Sequence, residues 1–170
     1  MKRALPALAI LLLASLACSL PGGETPTLPP LTPVEMIELT VYFQDIDMFA
    51  VGTEPYEVAV TRLVPATDDL PRAVLEQLFL GPTPEEQAQG LNLVLSGSTG
   101  FSEFRIEAGI AHVRLTGQCN SGGSTYTISN LIFANLAQFP EITAIKIYDQ
   151  NGETEVPDGA SSSIPFCLEP

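Results

Sequence analysis

Cations are scarce in this chain. Of its 170 residues, seven are lysine or arginine against twenty aspartate or glutamate, giving a formal net charge of −13. Binding to nucleic acid depends on Lys and Arg neutralising phosphates, so that class is excluded. Tryptophan is absent and histidine occurs once, at His112. A zinc centre needs three or four ligands, and one histidine with two cysteines that are expected to be oxidised cannot provide them. Long apolar runs are missing too. The greasiest stretch, residues 4–17, falls short of the roughly 20 apolar residues that span a bilayer core, and Pro6 would strain a spanning helix. Walker A, Rossmann and nucleophile-elbow patterns do not occur.

What is present begins at the N-terminus. Lys2 and Arg3 precede the apolar run, which closes on Ser15, Leu16, Ala17 and Cys18. Charged start, apolar middle, small residue and cysteine describe a lipoprotein signal peptide over residues 1–17. Ser15 stands where the motif usually has Leu; Leu16 and Ala17 fit it. An ordinary cleaved secretory peptide, with Cys18 incidental, is the competing reading. Cleavage before a lipidated Cys18 leaves five basic residues against twenty acidic ones. Such a surface disfavours docking on anionic lipid, so the acyl chains must hold the protein. Each buried CH₂ contributes about 0.8 kcal/mol, and stable anchoring takes more than one chain. The expected location is therefore outside the cytoplasm, anchored to the cell membrane. Residues 18–34 form a tether, with prolines at 21, 26, 29, 30 and 33. Such a segment is partly polyproline II and extends at about 3.1 Å per residue where stiff.

Residues 35–170 read as one domain. Leu39, Val41 and Phe43 alternate with polar residues in a first strand, and residues 56–64 form a second. Asp68 and Asp69 precede Leu70-Pro71, the start of a helix carrying Val74, Leu75, Leu78 and Phe79 and ending at Gly81-Pro82. Residues 84–90 suggest one more short helical turn. Three strands follow: residues 91–95, one with Phe104 and Ile106, and one with Ala111, Val113 and Leu115 after an Ala108-Gly109 turn. Ser124 or Thr125 caps a second main helix with the face Ile128, Leu131, Ile132, Leu136 and Phe139. Ile145 and Ile147 mark the last strand, before an Asn151-Gly152 turn. The expected fold is α+β: a mixed β-sheet of about five to six strands with two main helices packed on one face.

With Cys18 used for lipid, Cys119 and Cys167 remain. In an oxidising compartment they are expected to pair; free buried thiols are the alternative. Chemistry has few candidates. His112 falls on the strand face opposite the core, without a nucleophile or orienting carboxylate adjacent in the pattern. The loop Ser121, Gly122, Gly123, Ser124 precedes a helix and is the one candidate ligand contact, for a small anion or a ligand carboxylate. It reads mainly as a capped turn. Asp45, Asp47, Asp149, Asn151, Glu153 and Glu155 supply oxygen-rich loops without a complete calcium pattern. No catalytic residue, cofactor or metal is expected.

Several segments nevertheless combine into a known pattern: LTVYFQD, then LPRAVLEQLFLGPTPEEQAQGL, IAHVRLTG, a helix ending NLAQFPEI, and TAIKIYDQNG. Together, over residues 38–152, they resemble the GerMN domain of sporulation and spore germination. The resemblance implies a compact α+β fold related to the ring-building motifs of sporulation channel proteins. It also implies a lipid-anchored envelope setting and a non-catalytic binding or assembly role. A single copy, the Cys119/Cys167 pair and the tail depart from some members. The expected partners are an envelope protein or wall glycan, and homo-oligomerisation is open. A small-ligand carrier and an envelope hydrolase are the rival readings.

Overall fold

Period-two alternation builds the first element, β1 (Met36–Asp45), in which Leu39, Val41 and Phe43 are buried while Glu38 stays exposed. The computed structural model describes residues 33–170. The leader, Cys18 and residues 19–32 of the tether lie outside the described residues. β1 passes directly into a short helix, α1 (Ile46–Val51), because the Asp45 side chain accepts the amides of Asp47 and Met48, both at 2.9 Å. None of the α1 residues is buried. β2 (Glu57–Pro65) returns antiparallel along almost the whole of β1.

Asp69 caps α2 (Leu70–Leu80), Pro71 sits in its first turn, and Val74, Leu75 and Leu78 are buried. This is the expected helix, ending at Gly81. A capping box between Thr83 and Glu86 starts the one-turn α3 (Pro84–Gln87). The two-residue β3 (Leu91–Asn92) then pairs with the end of β1. β4 (Ser98–Glu107) and β5 (Ile110–Gly117) form a hairpin through Ala108 (φ 49°) and Gly109 (φ 82°). Positive φ at both central residues is what a type I′ turn requires. α4 (Ile128–Leu136) begins later than the sequence suggests: its cap is Thr127, boxed with Asn130. Ser124 is spent one turn earlier, its hydroxyl donating to the Tyr126 carbonyl at 2.8 Å. β6 (Ala144–Tyr148) runs parallel to β5, and a 3₁₀ turn at Phe166–Leu168 precedes the C-terminus.

The fold is α+β, as expected. The six strands among the described residues are divided between two sheets of three, in the orders β2-β1-β3 and β4-β5-β6. The mixed sheet is the second, since β4/β5 is antiparallel and β5/β6 parallel. One core nevertheless joins both. Val41 and Phe43 from the first sheet, Val113, Leu115 and Ile147 from the second, Leu75 and Leu78 of α2 and Leu131, Ile132 and Leu136 of α4 form a single buried cluster. Among the described residues no helix is long and apolar enough to cross a membrane.

Each sheet edge is treated differently. Along β1, beyond the reach of β3, the backbone finds side chains of α4 and of the turn after it instead of a strand. The Tyr42 amide donates to Asn135 Oδ1 at 2.9 Å, Asn135 Nδ2 donates to the Tyr42 carbonyl at 2.9 Å, and Gln138 Nε2 donates to the Thr40 carbonyl at 3.1 Å. β6 is flanked by the C-terminal tail. Ser163 bridges Lys146, donates its amide to Ile145 and accepts that of Ile147. β4 is irregular, with register shifts between Ser98/Gly100 and Phe101/Glu103. Among the described residues, β2 alone is a long, regular strand with one side unpaired.

Candidate functional site

The tail is held by a disulfide between Cys119 and Cys167, with S–S 2.01 Å and Cα–Cα 5.5 Å. Both domain thiols are thereby consumed, so neither serves as nucleophile or metal ligand. The bridge brings the candidate loop at residues 121–124 against the tail. The Ser121 amide donates to the Cys167 carbonyl at 2.7 Å, and the Ser121 hydroxyl donates to the Glu169 carbonyl. The remaining amides of the loop are also satisfied within the chain. Gly122 donates to Asn120 Oδ1 at 2.8 Å, Gly123 to Ser121 Oγ at 3.2 Å and Ser124 to the Ser121 carbonyl at 3.1 Å. An anion cradle needs free N–H groups; here they close an Asx- and Ser-based turn instead.

The loop leads directly into the wall of an open groove of about 700 Å³. Phe49 of α1, Tyr56 before β2 and Tyr126 before α4 meet edge to face there, with ring centroids 5.3, 5.4 and 6.0 Å apart. Glu54, Glu57, Thr125 and Asn130 complete the polar lining, which contains no Lys or Arg. The Tyr126 hydroxyl donates to Glu57 Oε1 at 2.7 Å. Burial first, and then that carboxylate, push the Tyr126 hydroxyl well above the usual tyrosine range, so it stays protonated and fixes Glu57. Aromatic edges beside carboxylate and amide groups suit a ligand with both apolar and hydroxyl or cationic faces. Sequence reasoning missed this groove. Tyr126 lies far along the chain from Phe49 and Tyr56, and no spacing links the three.

A second cluster lies on the outer face of the mixed sheet. Strand register sets two cross-strand rows there: Arg105, His112 and Lys146, and Glu103, Arg114 and Tyr148. His112 stands on the face opposite the core, as expected. Its Nδ1 lies 2.9 Å from the Tyr148 hydroxyl, and the two rings stack at 5.8 Å with 14° between planes. Burial, followed by the nearby charges of Arg105 and Lys146 and opposed by Glu107, holds the imidazole below the usual histidine range. It is therefore neutral at neutral pH. Lys146, which the alternation places on an outer face, is 1 % exposed; the tail covers it, and its Nζ donates to the Val156 carbonyl at 2.6 Å and the Asp158 carbonyl at 3.0 Å.

The oxygen-rich loops are structural. Asp45 caps α1, and Asp149 Oδ1 accepts the amides of Asn151 and Glu153 at 2.9 and 2.8 Å, tying the expected turn. Among the described residues, no group of three or more His, Cys, Asp or Glu is placed to hold a metal ion.

Residues 40–156 match the sequence profile of the Germane family, described as sporulation and spore germination. The chain belongs to this family. Two solved structures are similar to this Germane-family chain. The tandem GerMN domains of the sporulation protein GerM from Bacillus subtilis align at 20 % identity with a TM-score of 0.50, covering 84 % of this chain and 51 % of that one. The first GerMN domain of the same protein aligns at 19 % identity with a TM-score of 0.46, covering 78 % of this chain and 97 % of that one. The chain thus spans about half the length of the tandem structure. No curated relative matches the chain. Germane is not a known enzyme family, and the expected GerMN identity, with its α+β fold, stands.

Proposed function

We propose that this Germane-family protein is a lipid-anchored, extracytoplasmic module with a non-catalytic binding or assembly role in the cell envelope, in a sporulation or germination setting. Family membership across residues 40–156 carries this reading, and the similar solved structures come from a protein named for sporulation. Cys18 is the anchoring residue, and the Pro/Thr-rich tether gives the domain reach away from the membrane. The partner is an envelope protein or a wall glycan. The aromatic and carboxylate groove supports the glycan in particular, because rings can cover the apolar face of a sugar while Glu54, Glu57 and Asn130 meet its hydroxyls.

The test is crosslinking of the lipidated protein in intact cells, followed by identification of what it captures. Recovery of one envelope component, reduced when Phe49 is replaced by Ala, is the expected result; recovery of nothing above background refutes the role. A second reading, a carrier of a small ligand, is favoured by the groove volume of about 700 Å³. Thermal shift of the purified protein with soluble muropeptides separates the two. Stabilisation by the free fragment without a cellular crosslink supports the carrier.

A further inference from the structure

We propose that the outer face of the mixed sheet binds a carboxylate carried by an otherwise neutral ligand, the C-terminus of a short peptide being the simplest case. This deepens the binding role above and rests on it.

The described residues contain five Lys and Arg, and three of them, Arg105, Arg114 and Lys146, stand on this one face. Lys146 is turned into the tail, which leaves the two arginines facing solvent. A cleft of about 180 Å³ lies between them, with His112 and Tyr148 in its lining. Arg105 uses Nε on Glu107 Oε1 at 2.9 Å, and Arg114 uses Nη2 on the Gln150 carbonyl at 3.0 Å. The Nη1 groups of both face Glu103, but only loosely: its two oxygens lie 3.9 Å from Arg105 Nη1 and 3.6 Å from Arg114 Nη1. Those distances are beyond a hydrogen bond, and the Glu103 side chain is 56 % exposed.

The chain therefore places its own carboxylate between two arginines without bonding it. Exposed pairs of this kind are worth little. An incoming carboxylate can replace Glu103 and make the short charge-assisted bonds that Glu103 does not reach. The His112–Tyr148 stack offers a flat neutral floor with a further ring nitrogen, Nε2. Gly152 (φ +85°) forms part of the rim, where a Cβ would lie in van der Waals contact with the Arg114 guanidinium at 3.5 Å. The strongly acidic remainder of the chain repels polyanions, so the matching ligand is an isolated carboxylate on a neutral body.

His112 is the only histidine, so its ring signals in NMR of the full chain in detergent micelles report this cleft directly. The probes are N-acetyl-dialanine, its C-terminal amide, inorganic phosphate, and sodium chloride at matched ionic strength. The expected result is a saturable shift with the free acid and none with the amide or chloride. Arg114→Gln should weaken binding about tenfold. Glu103→Gln removes the resident competitor and should tighten binding about two- to fivefold. An equal response to the amide or to chloride, tighter binding of phosphate than of the carboxylate, or weaker binding by Glu103→Gln overturns the proposal. Absence of any carboxylate response while cellular crosslinks persist overturns this site and leaves the wider role. A carboxylate response without cellular crosslinks leaves the site and overturns the role.

Discussion

Asn135 replaces a missing strand with one side chain, and Asn135→Leu tests that reading. The residue is fully buried. Its amide accepts from the Tyr42 N–H and donates to the Tyr42 and Leu131 carbonyls, each at 2.9 Å. Leucine matches the size, is a better helix former and recovers roughly 1–2 kcal/mol of apolar burial. It leaves the Tyr42 amide and carbonyl without partners, and each orphaned buried group costs about 1–3 kcal/mol. The net loss is about 2–3 kcal/mol, a large share of the roughly 5–15 kcal/mol that holds a typical domain. Urea unfolding with the disulfide intact should show the midpoint falling by about 1–2 M at unchanged slope. Asn135→Asp keeps the acceptor, loses both donors and buries a charge, so it should fall further at neutral pH. If the leucine variant unfolds within about 0.3 M of the parent, Asn135 does not stand in for a strand.

Three further outcomes are expected. Replacing Cys119 and Cys167 together with Ser opens a loop of 48 residues; chain entropy predicts a loss of about 4 kcal/mol, read as the difference in unfolding free energy from the oxidised parent. Glu86 accepts two bonds from Arg62, both at 2.6 Å, and these hydrogen bonds first of all hold its carboxyl below the usual range. A depressed folded pKa contributes stability above the unfolded value and loses it as pH falls through the folded one. The stability gap between parent and Glu86→Gln should therefore be about 1–3 kcal/mol near pH 7 and close below about pH 4, measured by urea unfolding across pH. Cys18→Ala should move the protein from the membrane to the soluble fraction on cell fractionation, and retention in the membrane refutes lipid anchoring.

Strands and main helices were legible because their signals are local. The alternation of Leu39, Val41 and Phe43, the Asp69–Pro71 start of α2 and the Ala108-Gly109 turn all stand where their chemistry requires. The division into two sheets was not legible, since alternation marks a buried face without saying which strand lies beside it. α1 escaped notice because its six residues, IDMFAV, are too few and too uniformly apolar to show a helical period, and Asp45 and Asp47 read as loop acids. The start of α4 was placed early because Ser124 and Thr125 are as good caps by composition as Thr127. Nothing local in the sequence marks Lys146 or Asn135. Their partners, the tail carbonyls and the Tyr42 backbone, come from other parts of the chain. The groove of Phe49, Tyr56 and Tyr126 was hidden for the same reason.

The unequal treatment of the sheet borders limits how copies of this domain can join by backbone pairing. Among the described strands, β2 alone offers an uninterrupted ladder to a newcomer, and a filament needs two such faces on every molecule, one to receive and one to pass on. Zippering between copies through β2 consumes that face on both and leaves nothing to extend. At the concentrations of a crowded surface, lateral polymerisation by this route halts at a pair.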